Sequence, residues 1–468
     1  MNETSLNNLT DSRVGIGRTA LPGYSDSAEP EASRVISRIS TALGWGDEGC
    51  GPFGRIIPDA ARVVVKPNLV MHQNEGSWGI EPLITHPSII RAAVAAVLQS
   101  SPSEVIVGDA PIQGCLLNDL LEETGLERWA DRLIREDSRF KGIRDFRRTT
   151  CEFVNGVRVA TENVVAEDRF VLFDLGSESL LEPVTDDQHS FRVTCYDPRL
   201  LASTHAPKRH QYLVARDVID ADVVINLPKL KTHRKAGITC ALKNLIGING
   251  NKEYLPHHRI GGADTGGDCY PGGSRVKRAL EYSLDRQNMS SSFAAARVWR
   301  EVAASLTRIS SISGDTIGAE GSWSGNDTVW RTGLDLNRVL LYGRPDGTLA
   351  ETPQRVIIHL ADAVVAGQGE GPLRPEPLPL GLIFGGRNSA AVDWVGAHLL
   401  GYEPRRIPIA REAFTQFRWP LTDFATDEVT VLGDLGDGKA DEVLERISGE
   451  RSIVYPSGWQ DAARESAV

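Results

Sequence analysis

The chain has 468 residues, 41% hydrophobic and 24% charged, the balance of a globular protein with a large core and length for two or three domains. Its 51 Lys/Arg against 62 Asp/Glu give a net charge of −11, which argues against a general nucleic-acid binder, because that needs a broad basic surface. No apolar run reaches the about 18 residues of a bilayer span, and the polar start from Met1 to Asn8 lacks a basic-then-apolar leader, so a cytoplasmic, bacterial-type protein is expected.

Residues 1–55 read as a weakly structured lead-in, broken at Pro22-Gly23, with one helix over Ser33–Leu43. The main domain is expected over residues 56–410. Ala61–Val65 is a β-branched strand leading into Lys66-Pro67-Asn68, Pro87 favours a helix start running to Leu98, and Glu104–Val107 is the next strand, ending at Gly108-Asp109. Such a β-α-β unit implies a parallel sheet. It puts Lys66 and Asp109 on one edge, at the carboxyl ends of strands, where open α/β sheets bind ligands. Lys66 either reaches a ligand or ends its strand; Asp109 is either an acid/base carboxylate or the cap of the turn at Ala110-Pro111. Leu116–Leu126 reads as a helix, and the charged Arg132–Arg148 as surface helix or loop. Cys151–Ala160 alternates around Asn155-Gly156, the preferred type I′ hairpin turn, and opens a β-rich insertion of about residues 151–215.

Asp222–Asn226 is a buried strand, ended by Pro228, which has no N–H for a ladder. A basic loop follows, in which alternation places Lys229, Lys231 and His233 on one face. Thr239 is the expected N-cap of a short helix over Ala241–Ile246 that carries Lys243 and Asn244 and stops at Gly247. Strand, basic loop and helix N-terminus in this order form an anion site, the free helix N–H groups adding to the cations. Pro207–Ile260 holds ten Lys/Arg and four Asp/Glu, a basic island in an acidic chain that is either this site or a solvated loop. Residues 261–273 contain six glycines and form either a lid or a flexible loop. His257, His258 and Asp268 are the candidates for a metal, although adjacent histidines in an extended chain point apart.

Ser292–Ile309 reads as a long helix with Phe293, Val298, Val302 and Leu306 as its buried stripe. Gly318–Gly333 is an expected loop with Trp323 and Trp330, and Asp335–Leu341 a short helix. Arg355–Leu360 is a strand running into Asp362–Gly371, whose spaced glycines would let backbone approach a phosphate. Leu380–Phe384 and Ser389–Leu400 form a strand–helix pair, and residues 411–468 a strand–helix tail. The fold class is α/β, a mostly parallel twisted sheet flanked by helices with a β-hairpin-rich insertion.

The run Pro228–His233 followed by Ala241–Gly247 resembles the signature of the domain-of-unknown-function 362 family. Val65–Asn68, Gly108–Pro111 and Asp362–Gly371 fit that family in the expected order, and the likeness covers most of the chain. It implies little about activity. Many members carry a ferredoxin-like iron–sulfur module, some occur near polysaccharide-biosynthesis genes, and a more distant likeness is to the N-terminal part of lactate racemase, which holds a nickel-pincer nucleotide on a lysine. Here Cys50, Cys115, Cys151, Cys195, Cys240 and Cys269 are dispersed with no C-x-x-C run, a departure from the iron–sulfur members.

The first functional expectation is an enzyme acting on a small anionic metabolite or nucleotide-like cofactor of undetermined identity. Lys66, Asn68, Lys229, Lys231, Asn244 and Lys252 would bind the anion. Lys243, its pKa lowered by neighbouring cations, would react, and His233 and Asp109 would move protons. The second is a non-catalytic anion-binding accessory protein, and the third an iron–sulfur electron carrier. No membrane span or nucleic-acid partner is expected, and a homo-oligomer is compatible with the pattern.

Overall fold

The computed structural model describes residues 8–25, 27–47, 49–312, 317–448 and 452–463; the expectation for residues 1–7 lies outside them. Eleven described strands form the central sheet. They are β1 (Arg13–Arg18), β2 (Arg62–Pro67), β3 (Glu104–Asp109), β4 (Phe140–Asp145), β5 (Val223–Leu227), β6 (Lys229–His233), β7 (Gly237–Thr239), β8 (Val356–Glu370), β9 (Arg374–Gly386), β10 (Thr430–Gly433) and β11 (Gly438–Lys439). The order is β11-β10-β1-β9-β8-β5-β2-β3-β4, with β6 beside β8 and β7 beside β6. Strands β8, β5, β2, β3 and β4 are mutually parallel, and β9 returns antiparallel to β8.

The parallel core follows from its side chains. Val63-Val-Val65, Val105-Ile-Val107, Val223-Val-Ile225 and Val356-Ile-Ile358 are buried on both faces, so they read as continuous apolar runs. On one face Val63, Val65, Val223 and Ile225 pack under α1 (Ala28–Leu43) and α2 (Pro87–Leu98). On the other, Val64, Ile106, Val224 and Ile357 pack with Leu336, Val339 and Leu340. The remaining helices used below are α3 (Ala241–Asn244), α4 (Arg275–Met289), α5 (Phe293–Ile312), α6 (Val329–Tyr342) and α7 (Ser389–Leu399). The 155–156 turn closes a hairpin as expected, Asn155 and Gly156 both having positive φ, 50° and 72°. Among the described residues, no helix is long and apolar enough to cross a membrane.

Several expectations are corrected. The lead-in is not weakly structured: β1 sits inside the sheet between β9 and β10. Its Gly15 and Gly17 face α1, where a Cβ would lie 2.8 Å from Ile39 and 2.5 Å from Val35, so close packing removes the side chains that would have marked a strand. Phe140–Asp145, inside the expected surface helix or loop, is the edge strand β4. The basic loop is strand β6, parallel to β8 and antiparallel to β7. Asp362–Gly371 is not a phosphate loop, because Asp362–Glu370 lies within β8. A Cβ on Gly367 would come within 2.7 Å of the Lys231 Cβ, which explains the glycine by strand contact. Trp330 lies on α6, a longer helix than expected. The glycine-rich segment is folded on itself, with Gly262 bridged to Tyr270 and Cys269 and Tyr270 buried. In α5 the buried positions are Ala296, Ala303 and Ser310, whereas Phe293, Val298 and Val302 are exposed.

Lys229 lies where β6 crosses β8, and its side chain is fully buried. Its ammonium meets the Asp362 carboxylate at 2.7 Å, Tyr24 Oη at 2.8 Å and the Val365 carbonyl at 3.1 Å. Asp362 also accepts from Tyr24 Oη at 2.6 Å and the His86 N–H at 2.9 Å, and Tyr24 stacks on His86 at 3.6 Å. This knot ties the N-terminal segment to the sheet. Asp362→Ala strands a buried ammonium, so unfolding free energy should fall by about 3–5 kcal/mol, whereas Lys229→Met/Asp362→Leu should lose less. Urea denaturation of both variants checks the difference.

Candidate functional site

The carboxyl ends of β2 and β3 meet α3 beside a cavity of about 260 Å³. Its walls carry eight Lys/Arg against four Asp/Glu side chains, so the site is cationic. Lys66, Asn68, Asp109, Lys231, His233, Lys243, Asn244, Lys252 and His257 all line it, as the convergence of strand ends requires. Lys229 does not: its three donors are used in the knot with Asp362, Tyr24 and Val365. The proposed anion-binding role for Lys229 is therefore corrected to a structural one. The β6–β8 crossing, irregular between Lys229 and Lys231, separates two side chains that simple alternation would keep together.

Lys66 and Asp109 form a buried ion pair at 2.6 Å. Burial pushes the ammonium down and the carboxyl up, and their mutual attraction opposes both shifts. The remaining Lys66 donors go to the Pro67 carbonyl at 2.9 Å and Asn244 Oδ1 at 3.2 Å, and Asp109 accepts the Leu69 N–H at 2.7 Å. Asn244 continues the network to Asn226 at 2.8 Å, and Asn226 to His359 Nδ1 at 3.0 Å. Gly247 closes over the pair: a Cβ there would lie 2.4 Å from Asp109 Oδ1 and 2.7 Å from Lys66 Nζ. Asp109, already held by Lys66 and backbone, orients the site more readily than it moves protons.

The other ammonium groups are only partly engaged. Lys231 donates to Asn68 Oδ1 at 2.7 Å and to the Leu83 carbonyl. Burial, then Lys229 and Lys243, hold its pKa well below the ordinary lysine range. Lys235 donates to Thr194 Oγ1 at 2.9 Å and to the Glu320 carbonyl, and Lys252 to the Thr194 carbonyl at 3.3 Å. Lys243 has no hydrogen-bond or ion-pair partner among the described residues, and neither does the buried Thr239 hydroxyl on the same wall. Burial first, then Lys235 and Lys66, lower the Lys243 pKa to about 8.

The two cavity histidines have opposite hydrogen-bonding senses. His233 Nδ1 accepts the Lys235 and Ala236 N–H groups at 3.0 and 3.1 Å, which leaves the neutral ring's proton on Nε2. His257 Nδ1 lies 2.7 Å from the Leu255 carbonyl and donates to it, which leaves Nε2 as a free base. Burial and the surrounding lysines hold both rings neutral, their pKa values well below the usual histidine range. His233 thus presents an N–H donor at Nε2, and His257 an unprotonated Nε2. The sequence supports neither tautomer, because each depends on a backbone partner in a turn.

The helix-terminus reading also changes. Thr239 belongs to β7, Cys240 is the N-cap without a side-chain cap bond, and α3 has four residues. Its Leu242 N–H is taken by Asp393 of α7 at 3.1 Å, a carboxyl that burial raises to about 7. Among the described residues no group of three or more His, Cys, Asp or Glu side chains is placed to hold a metal. Asp268 is used by the Arg259 and Asp327 N–H groups and the Thr328 hydroxyl, which removes it from the proposed set with His257 and His258. Arg147, Arg234, Lys235 and Arg374 are the lining cations that sequence reading passed over; Lys235 continues the odd-numbered series 229, 231, 233 into the turn.

The family model described as "Domain of unknown function (DUF362)" matches residues 63–172 and 191–398. A curated thylakoid-associated protein of Synechocystis sp. is similar, 21% identical over 380 residues, covering 81% of this chain and 74% of its own length. A crystal structure of a Thermotoga maritima protein aligns with a TM-score of 0.33 at 11% identity; the alignment covers 77% of this chain and 55% of that one.

Two outcomes follow from this geometry. Acylation of Lys243 by a small activated ester should rise with pH to a midpoint of about 8, below the 10.5 of an ordinary lysine, as followed by peptide mass spectrometry. Gly247→Ala should lower the unfolding free energy by about 1–3 kcal/mol, because its methyl group would overlap the Lys66–Asp109 pair; thermal denaturation checks it.

Proposed function

We propose, for a chain that belongs to the DUF362 family, that the cavity binds a small anionic metabolite and that Lys243 is the group that reacts with it. The observation that carries this reading is the Lys243 amine, without a partner among the described residues, beside ammonium groups that already have protein acceptors. An amine with a pKa of about 8 is mostly protonated at pH 7 but has a neutral, nucleophilic fraction of roughly a tenth, far more than an ordinary lysine. Lys231 and Lys235, each with two protein acceptors, keep donor capacity for a carboxylate or phosphate. His233 Nε2–H adds a neutral donor, and His257 Nε2 takes a proton. A cavity of about 260 Å³ suits a metabolite rather than a polymer.

In this reading Lys66, Asp109, Asn244 and Asn226 are positioning residues that fix α3 and so the place of Lys243. Ligand polarity follows from charge: an anion offsets the repulsion among the cavity lysines, so its binding should raise stability. A non-catalytic anion-binding protein would share the pocket and differ only in having no turnover.

The test is a thermal-shift screen of small carboxylates and phosphates, followed by a turnover assay on those that stabilise the protein. Lys231→Met should reduce the affinity of such a ligand by about tenfold or more, the loss of one charged hydrogen bond of about 1.5–3 kcal/mol. Lys243→Met should retain binding and lose turnover. Stabilisation that ignores Lys231→Met counts against the pocket, and a bound ligand that wild-type protein never turns over establishes the accessory-binder reading.

A further inference from the structure

Helix α5 lies against α4 and touches the protein along Ala296, Ala303 and Ser310, three positions seven residues apart. A second line of residues runs beside that seam: Ala295, Val298, Val302, Ser305, Ile309 and Ile312. Their spacing alternates between three and four residues, the a/d pattern of a coiled coil. All six are exposed, Val298 at 62%, Ile309 at 52% and Ile312 at 87%. Small and β-branched residues exposed in this spacing form an apolar stripe that the described residues leave uncovered, and such a stripe marks a contact surface.

We propose that α5 pairs antiparallel with α5 of a second copy of this chain, across a two-fold axis near residues 302–305. Three features point to self-pairing. In that register each a residue meets a d residue of the second copy: Ala295 meets Ile312, Val302 meets Ser305, and Ile309 meets Val298. Ala295 and Ser305 thus stand opposite the larger Ile312 and Val302, while Ile309 meets Val298, which fills the seam. The flanking charges then match, because the antiparallel geometry brings Glu301 opposite Arg308 of the second copy, twice by symmetry. Reversing either charge alone would place like charges there. On the inner flank Trp299 and Leu306, both half-buried, face their symmetry mates as an apolar pair. Trp299 is held by an edge contact from Tyr282 at 5.7 Å and by the Arg286 guanidinium at 5.7 Å, so α4 presents the seam as a rigid face. Parallel pairing of the same helix would bring neither Glu301 to Arg308 nor small residues to large ones.

The test is analytical ultracentrifugation of the full chain. Wild-type protein should sediment as a dimer at micromolar concentration. Val302→Glu should give a folded monomer with unchanged far-UV circular dichroism, since Val302 is exposed in the single chain. Glu301→Arg should weaken the dimer by tenfold or more, and Glu301→Arg with Arg308→Glu should restore it. Oxidative crosslinking of Val298→Cys protein mixed with Ile309→Cys protein should join the two variants, the antiparallel signature. A wild-type protein that stays monomeric throughout the micromolar range overturns the proposal, as does a dimer indifferent to Val302→Glu. A monomer that floats with phosphatidylglycerol vesicles and loses this with Val302→Glu also overturns it, assigning the face to a membrane surface.

Discussion

A buried ammonium requires acceptors, and the site is organised by how many each lysine finds. Lys66 and Lys229 each have three, including a carboxylate, and both are framework. Lys231 and Lys235 each have two, neither from a carboxylate. Lys243 has none among the described residues. Desolvation lowers the pKa of all five, and the acceptors decide which of them stays available to a ligand. The framework pairs contribute order more than net stability, because the desolvation of both charges offsets much of their attraction.

That order is transmitted through backbone. Lys66 and Asp109 end neighbouring parallel strands, so their pairing fixes the relative ends of β2 and β3. Asn244 and Asn226 extend the same network to α3 and β5, and Gly247 brings the next turn down onto the pair. Asp393 holds α3 from the opposite side. Lys243 therefore stands on a short helix that is held from both sides, while its own amine has no partner among the described residues.

Much of the fold was legible in the chain. The β-branched runs at 63–65, 105–107 and 223–225 announce strands buried on both faces, and the Asn155-Gly156 turn announces its hairpin. What stayed hidden had local causes. β1 was obscured because α1 approaches it so closely that two of its six residues are glycine. The α5 stripe was assigned to the core because apolar spacing reports that a face is apolar, and it does not report which neighbour covers it.

The candidate site divides along the same line. The sequence by itself determined that cations gather at strand ends, because strand alternation and β-α-β connection are local rules. It thereby placed Lys66, Asp109, Lys231, His233 and Lys243 around one cavity. Only the tertiary structure decided their roles. Lys229 and Lys231 share a chemistry and a parity, yet Asp362, more than a hundred residues away in sequence, neutralises one and leaves the other to the cavity. His233 and His257 differ only in which backbone group each Nδ1 meets. Charge state and proton position depend on partners brought together by folding, and no local pattern carries that information.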